Sequence, residues 1–409
     1  MKSNKLLAWG SAQFFFIFSV LIAVVFAILS DEILQKLQLS DSDLGLLGGA
    51  FFVTYALSQL VLGILIDRVP ARWVLGPTAL LAAAGTFLFS VSDGLTSAVI
   101  ARGLMGLGLG STFVGVIYLV GRRYGGRFAF MSSLSQSVTN VCAAALAIAS
   151  AFLPILVDFR FPFQLIAALF VVSAILIFLF VDDLPDANKG SDVSLLSALG
   201  ASVSNGQFWA ATIFYCGTFG TLLAFADLWN IQFQMNFFAH SVQQSAVMNA
   251  MIPLGVTVGG LAAGAWAGKI GFVLPARVFA ALVLISFVVL LLVPLPIVAA
   301  GAMMFVIGCG FGSSTLGLAA VHQHLPATVA PLATSLVVTS ACIFGGIVQP
   351  LVGAALSAPQ RTGQLFALVH AANPDFATYQ RGLLWLLGSA LAALVASLFF
   401  RKPATGEGR

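Results

Sequence analysis

Again and again along this chain, about twenty residues pass almost without charge before a Gly, Pro, Ser or charged break interrupts them, and that rhythm decides the solvent. A chain of 409 residues that is 60% hydrophobic and 8% charged, with mean hydropathy +1.05, cannot bury that much apolar surface in a water-soluble core. Lipid must cover it. The runs predict twelve membrane-spanning helices at approximately 8–30, 44–66, 74–93, 95–121, 128–156, 161–181, 207–236, 242–267, 273–294, 296–321, 328–357 and 378–400. The expected fold class is an all-α integral membrane protein. The first run follows Lys2 and Lys5 in the manner of a signal peptide, yet Trp9 to Ser30 is long enough to span and is expected to stay in the mature protein.

Charge gathers on one side of that pattern. With the N-terminus inside, cytoplasmic segments hold Lys2, Lys5, Arg68, Arg72, Arg122, Arg123, Arg127, Lys189, Lys269, Arg277, Arg401, Lys402 and Arg409, against Lys36, Arg160, Arg361 and Arg381 outside. That bias predicts cytoplasmic N- and C-termini in a multi-pass protein of the cell inner (plasma) membrane. The net charge of +4 is then an orientation signal, and no nucleic-acid partner is expected. Cys142, Cys216, Cys309 and Cys342 all fall inside apolar runs without CxxC spacing, so they read as packing residues, with no metal site.

The polar stretch from Asp182 to Gln207 is the longest cytoplasmic break, and it divides the chain into an N-terminal six-helix half (1–181), a linker (182–206) and a C-terminal six-helix half (207–409). Gly106-Leu107-Gly108-Leu109-Gly110-Ser111 in helix 4 returns 202 positions later as Gly308-Cys309-Gly310-Phe311-Gly312-Ser313 in helix 10. Between helices 2 and 3 stands Gly63-Ile64-Leu65-Ile66-Asp67-Arg68-Val69-Pro70-Ala71-Arg72-Trp73, and a degenerate copy begins at Gly264, 201 positions on. Two anchors at nearly one spacing argue for duplication, which places a solute site between the halves near the bilayer midplane. In the loop itself, Gly63 would let helix backbones approach, Asp67 would accept from a facing helix N-terminus, and Arg68 and Arg72 would hold the turn on the positive side.

At this loop the chain resembles the major facilitator superfamily, whose signature has the form Gly-x-Leu-x-Asp-Arg-x-Gly-Arg. The resemblance implies two pseudo-symmetric six-helix halves that rock by alternating access. It also implies a conformational latch at Asp67 and Arg68, with Arg122 or Arg123 as partners. Pro70 and Ala71 stand where the signature has a glycine and a basic residue.

Charge within the hydrocarbon costs several kcal/mol unless paired or hydrated, so it marks function first. Two such residues remain once loops are removed: Arg102 in helix 4 and Asp227 in helix 7. Arg102, followed by Gly103-Leu104-Met105-Gly106, looks like the family's helix 4 motif. It reads either as an anion anchor for the solute or as a structural arginine holding carbonyls at a helix contact. Asp227 reads either as a proton-coupling group or as a capping residue near the outer surface. Tyr55 and Gln59 share a face of helix 2, and Gln136 and Asn140 a face of helix 5, as further substrate-binding candidates. His322 and His324 follow helix 10 and read as solvated loop residues.

No Gly-x-x-x-x-Gly-Lys-Ser/Thr occurs, so ATP does not drive the protein, no cofactor is expected, and no convergent acid, base or metal groups make it an enzyme. The reading is a monomeric secondary active transporter of a small polar organic solute (an amino acid, monocarboxylate or sugar-like metabolite) with the lipid bilayer as surroundings and protons as coupling ion for uptake. Helix 5 shows Val141-Cys142-Ala143-Ala144-Ala145 where the resemblance would place the Gly-Pro-x-x-Gly-Gly of drug/proton antiporters. A proton-driven exporter of amphipathic compounds is therefore the alternative. A membrane sensor that binds without moving its solute is the third reading.

Overall fold

The computed structural model describes residues 5–66, 68–124, 127–152, 158–182, 195–293, 295–326, 328–357 and 374–402. Among them every regular element is helical. Twelve long helices follow one another: α1 (Lys5–Ile28), α2 (Asp41–Ile66), α3 (Ala71–Ser90), α4 (Leu95–Tyr124), α5 (Phe128–Phe152), α6 (Arg160–Phe180), α7 (Gly206–Phe238), α8 (Val242–Ile270), α9 (Val273–Leu292), α10 (Ile297–His324), α11 (Ala330–Ser357) and α12 (Pro374–Leu398). Eleven of them, all but α5, contain a described stretch long and apolar enough to cross a membrane. Asp67 and residues 183–194 of the expected linker lie outside the described residues, while Leu195–Val203 in the linker's second half forms a short helix.

Helix starts carry the duplication further than the two sequence anchors. At the head of α2, Ser40 and Asp43 cap each other: the Ser40 N–H donates to Asp43 Oδ2 at 2.9 Å and the Asp43 N–H to Ser40 Oγ at 3.3 Å. Ser241 and Gln244 repeat the arrangement at the head of α8, 201 positions later, at 2.9 and 3.2 Å. Each is a capping box that satisfies orphan N–H groups of the first turn. The glycine-rich runs also behave alike. α4 breaks at Gly110-Ser111 and α10 at Ser313-Ser314, each interrupting its α-pattern for two residues.

Contacts gather the chain into two compact units. The first comprises residues 1–186, 224–250 and 346–382. In it, small residues bring helices into backbone contact, the packing mode that lipid-embedded helices favour. A Cβ on Gly110 would meet the Gln59 backbone nitrogen at 2.8 Å, and one on Gly106 the Tyr55 nitrogen at 2.8 Å, fixing α4 against α2. On α2's other flank, a Cβ on Gly45 would meet the Gln349 carbonyl at 2.7 Å, and Gly49 faces Gly346 and Pro350 of α11. Gly63, expected to allow a close approach, has among the described residues only a Val114 methyl at 3.9 Å, whereas the glycines just named meet backbone.

The second unit comprises 187–223, 251–345 and 383–409. Gly255 and Gly259 of α8 meet α10 backbone around Gly308 and Cys309. Phe400 lies 5.3 Å from Phe214 and 5.5 Å from Phe272, forming an aromatic plug beneath α12. Arg277 donates to the carbonyls of Ser397 and Leu398 at 3.4 and 3.2 Å, a cation at a helix C-terminus as the macrodipole favours.

Candidate functional site

Inside the first unit Arg102 is 1% exposed, and the sequence explains how the helices carry it. Gly103 and Gly106 keep α4 thin on the side that meets α2, so the long side chain can lie between helices rather than reach for the surface. Its Nε donates to the Leu47 carbonyl at 3.2 Å and its Nη1 lies 3.8 Å from Met105 Sδ. Two phenylalanine faces enclose the charge: Phe26 of α1 at 4.0 Å and Phe51 of α2 at 4.4 Å from the guanidinium carbon. Desolvated face contacts of this kind are worth about 2 kcal/mol each, which offsets part of the cost of burying the cation. Among the described residues the groups that contact Arg102 are neutral, and Asp227 is an opposite charge that acts on it from a distance no contact records.

Asp227 stands on an irregularity that periodicity could not announce. α7 is expected as one continuous helix, but it contains two π-turns, Cys216–Gly220 and Phe225–Trp229, and Asp227 is the centre of the second. Its neighbours hold the turn from several sides. Trp229, 2% exposed, donates from Nε1 to the Gln349 carbonyl at 3.1 Å. Asn249 of α8 donates to the Ala226 carbonyl at 3.0 Å and accepts from Asn230 at 2.8 Å. Beyond the turn, Gln232 donates to Ser30 Oγ at 2.8 Å and to the Asp31 carboxylate, tying α7 to the short helix Ser30–Leu37.

The other expected site residues scatter. Tyr55 stacks on Phe51, the ring beneath Arg102, at 6.1 Å between centroids. Gln59 is buried, and its Oε1 has no hydrogen-bond partner among the described residues. Gln136 is exposed and bonds Asn140 at 3.1 Å along α5; neither is among the groups that hydrogen-bond or stack on Arg102. Sequence patterning does not single out Gln13 of α1, which donates to the Ser135 carbonyl at 3.0 Å and to Thr139 Oγ1 at 2.7 Å while its own Oε1 is buried without a hydrogen-bond partner among the described residues. A lone amide in an otherwise apolar run was the available signal. At the loop, Arg68 is exposed, Arg72 and Arg122 half-buried and Arg123 buried. Arg122 lies 5.8 Å from the Tyr118 ring. His322 bonds Thr334 at 3.2 Å, and His324 bonds the Ala320 carbonyl at 2.9 Å and lies edge-on to Phe272.

A comparison with curated sequences returns no significant match. Among solved structures, the chain is similar to a bacterial homologue of the human lysosomal transporter Spinster in an inward-facing, unoccupied conformation, with TM-score 0.72 and 15% identity over 98% of this chain and 97% of that one. It is also similar to the nucleoside transporter NupG, with TM-score 0.72 and 14% identity over 97% of this chain and 99% of that one. At such identities the likeness speaks for the fold. The family model of the Major Facilitator Superfamily matches residues 10–350. With that match, the helical architecture and the duplicated helix starts in agreement, this chain belongs to the major facilitator superfamily: it is an all-α, multi-pass membrane protein and a secondary transporter of a small-molecule solute, not an enzyme.

Proposed function

We propose that this transporter couples proton movement to uptake of a small polar organic solute through Arg102 and Asp227. The observation that carries the reading is one buried cation, touched among the described residues only by neutral groups, with one acid that acts on it from a π-turn. With Asp227 ionised, the two charges attract and hold α7 to the α2–α4 contact. A proton on Asp227 cancels that attraction and leaves Arg102 free to take an anionic group of the solute, so binding and protonation become linked steps. The buried amide oxygens of Gln13 and Gln59 supply acceptors for a solute N–H or O–H, since a buried acceptor gains most from a partner it lacks.

The positive-inside bias favours cytoplasmic termini and, with them, a plasma-membrane setting. Arg68, with Asp67, Gly63 and Arg72, would serve as the latch on the cytoplasmic side, using Arg122 or Arg123 as partner.

The test is uptake into proteoliposomes of the purified protein, screened over amino acids, monocarboxylates and sugars with and without an inside-alkaline gradient. Asp227→Asn is expected to keep solute exchange at equal pH while losing gradient-driven accumulation. Arg102→Ala is expected to lose binding. Undiminished accumulation by Asp227→Asn would overturn the coupling role, and exchange of amphipathic dyes alone would favour the exporter.

A further inference from the structure

Four side chains on α7, α8 and the link between them form hydrogen bonds that all run one way. His240 Nδ1 lies 3.2 Å from Gln234 Oε1, Gln234 Nε2 donates to Asn230 Oδ1 at 3.3 Å, Asn230 Nδ2 to Asn249 Oδ1 at 2.8 Å, and Asn249 Nδ2 to the Ala226 carbonyl at 3.0 Å. Asn230, Gln234 and Asn249 are buried. The chain leaves α7 through Ala239 at φ 54°, and the N–H groups of Ala239 and His240 both turn back onto the Gln234 carbonyl, which sets the imidazole beside that residue's amide.

The last acceptor fixes the direction. A carbonyl oxygen only accepts, so Asn249 must turn its NH2 to Ala226 and its oxygen to Asn230; the same step through Asn230 and Gln234 leaves Nδ1 of His240 as a donor. Burial holds the His240 imidazole below its ordinary pKa, so the neutral ring, with a single N–H, is the form the arrangement must satisfy. Running the bonds the other way would set two buried oxygens face to face at Ala226.

Ala226 lies within the π-turn, next to Asp227. Returning from i→i+5 to i→i+4 bonding leaves one carbonyl of such a turn outside the backbone ladder. The Asn230 N–H reaches back to the Phe225 carbonyl, and Asn249 reaches the next one. We propose that His240, Gln234, Asn230 and Asn249 form a tautomer-locked amide chain that holds this π-turn and so aims the Asp227 carboxyl. They are positioning residues for the proton step. This deepens the role proposed above for Asp227 and rests on it.

The test uses the full chain in lipid nanodiscs with ring-15N histidine, read by NMR. There are four histidines, and the resonances lost in His240→Gln assign the ring. The expected wild-type signature is a proton on Nδ1 and none on Nε2. Asn249→Leu, which removes both amide groups, should move the ring toward Nε2–H by about tenfold, the worth of one buried hydrogen bond. In the same samples the infrared carboxyl band that disappears in Asp227→Asn should change its titration midpoint in Asn249→Leu by about threefold or more in proton concentration.

An Nε2–H ring in the wild type, or a tautomer unmoved by Asn249→Leu, would overturn the chain; an unmoved midpoint would overturn the positioning role. Gln234→Leu serves if Asn249→Leu does not insert, and the wild-type signature needs no variant. Failure of the Asp227 reading looks different: Asp227→Asn would keep gradient-driven accumulation while the His240 signature stays in place.

Discussion

α7 contains the same backbone irregularity twice, and the two copies are put to opposite uses. Around Cys216–Gly220 the π-turn is a packing device: Gly217 lies against the Ser389 carbonyl of α12, Gly220 would place a Cβ 2.9 Å from the Ala341 carbonyl, and Thr218 spends its hydroxyl on its own helix, on Phe214 at 2.8 Å. Around Phe225–Trp229 there is no glycine; the turn holds an acid, a buried tryptophan bonded to Gln349 and a carbonyl taken by Asn249. A widened turn therefore does not by itself mark a site. What its freed groups meet decides: among the described residues the second turn carries an acid and gives its free carbonyl to an amide, and the first does neither.

The comparison breaks most readily at Gly217. A side chain there must displace backbone at Ser389 and Ala393, so Gly217→Val is expected to cost about 3 kcal/mol or more and to lower the yield of folded protein. Folded protein would be measured as the monodisperse fraction in detergent. A variant folding as well as the wild type would show that the first π-turn does not depend on close packing. Arg102→Ala and Asp227→Asn, by contrast, should fold while failing in transport, because the second turn is held by amides that these changes leave intact.

Much of the helical frame was legible because apolar run length reports hydrocarbon thickness directly: 161–181 is expected and Arg160–Phe180 observed. Boundaries shifted where polar caps extend a helix beyond its apolar run, as Ser40 and Asp43 do for α2, whose start moves from 44 to Asp41. Those caps are plain S-x-x-D and S-x-x-Q patterns. Arg102 and Asp227 stood out in the sequence for the same reason that they matter, the cost of charge in lipid. The π-turns did not, because bonding register along a helix is settled by what packs against it. Gly217 faces residues about 170 positions away, and Asn249 finds Ala226 only after α8 folds back on α7.

Acid should separate the two turns a second time, by a smaller amount. The His240 pKa lies below its ordinary 6.5 because burial disfavours the cation. The sign follows: the neutral ring's contribution is fully present above about pH 6.5 and is lost as pH falls through the depressed folded value. The thermal stability of the wild type should therefore fall by under about 1 kcal/mol as pH drops through that range, and His240→Gln should flatten this part of the profile. The effect belongs to the second turn, since His240 is the far end of its amide chain while the first turn contacts no histidine among the described residues. An unchanged slope in His240→Gln would assign the acid sensitivity elsewhere.

The smallest expected effect lies at Thr218, and it sharpens the distinction from within. Its hydroxyl is fully buried, as Asn249 nearly is, so burial alone would forecast similar penalties. Yet Thr218 bonds only carbonyls of the preceding turn, at Phe214 and Tyr215, which already belong to the helical ladder. Thr218→Val keeps the shape, removes donor and acceptor together, and orphans no distant partner, so it should cost under about 1 kcal/mol. Asn249→Leu takes the amide from both Ala226 and Asn230 and should cost about 2 kcal/mol or more, since two buried groups lose partners at once. Chemical unfolding of the two variants side by side tests the claim, and equal losses would mean that the polar contacts of the second turn are no more than local helix bonding.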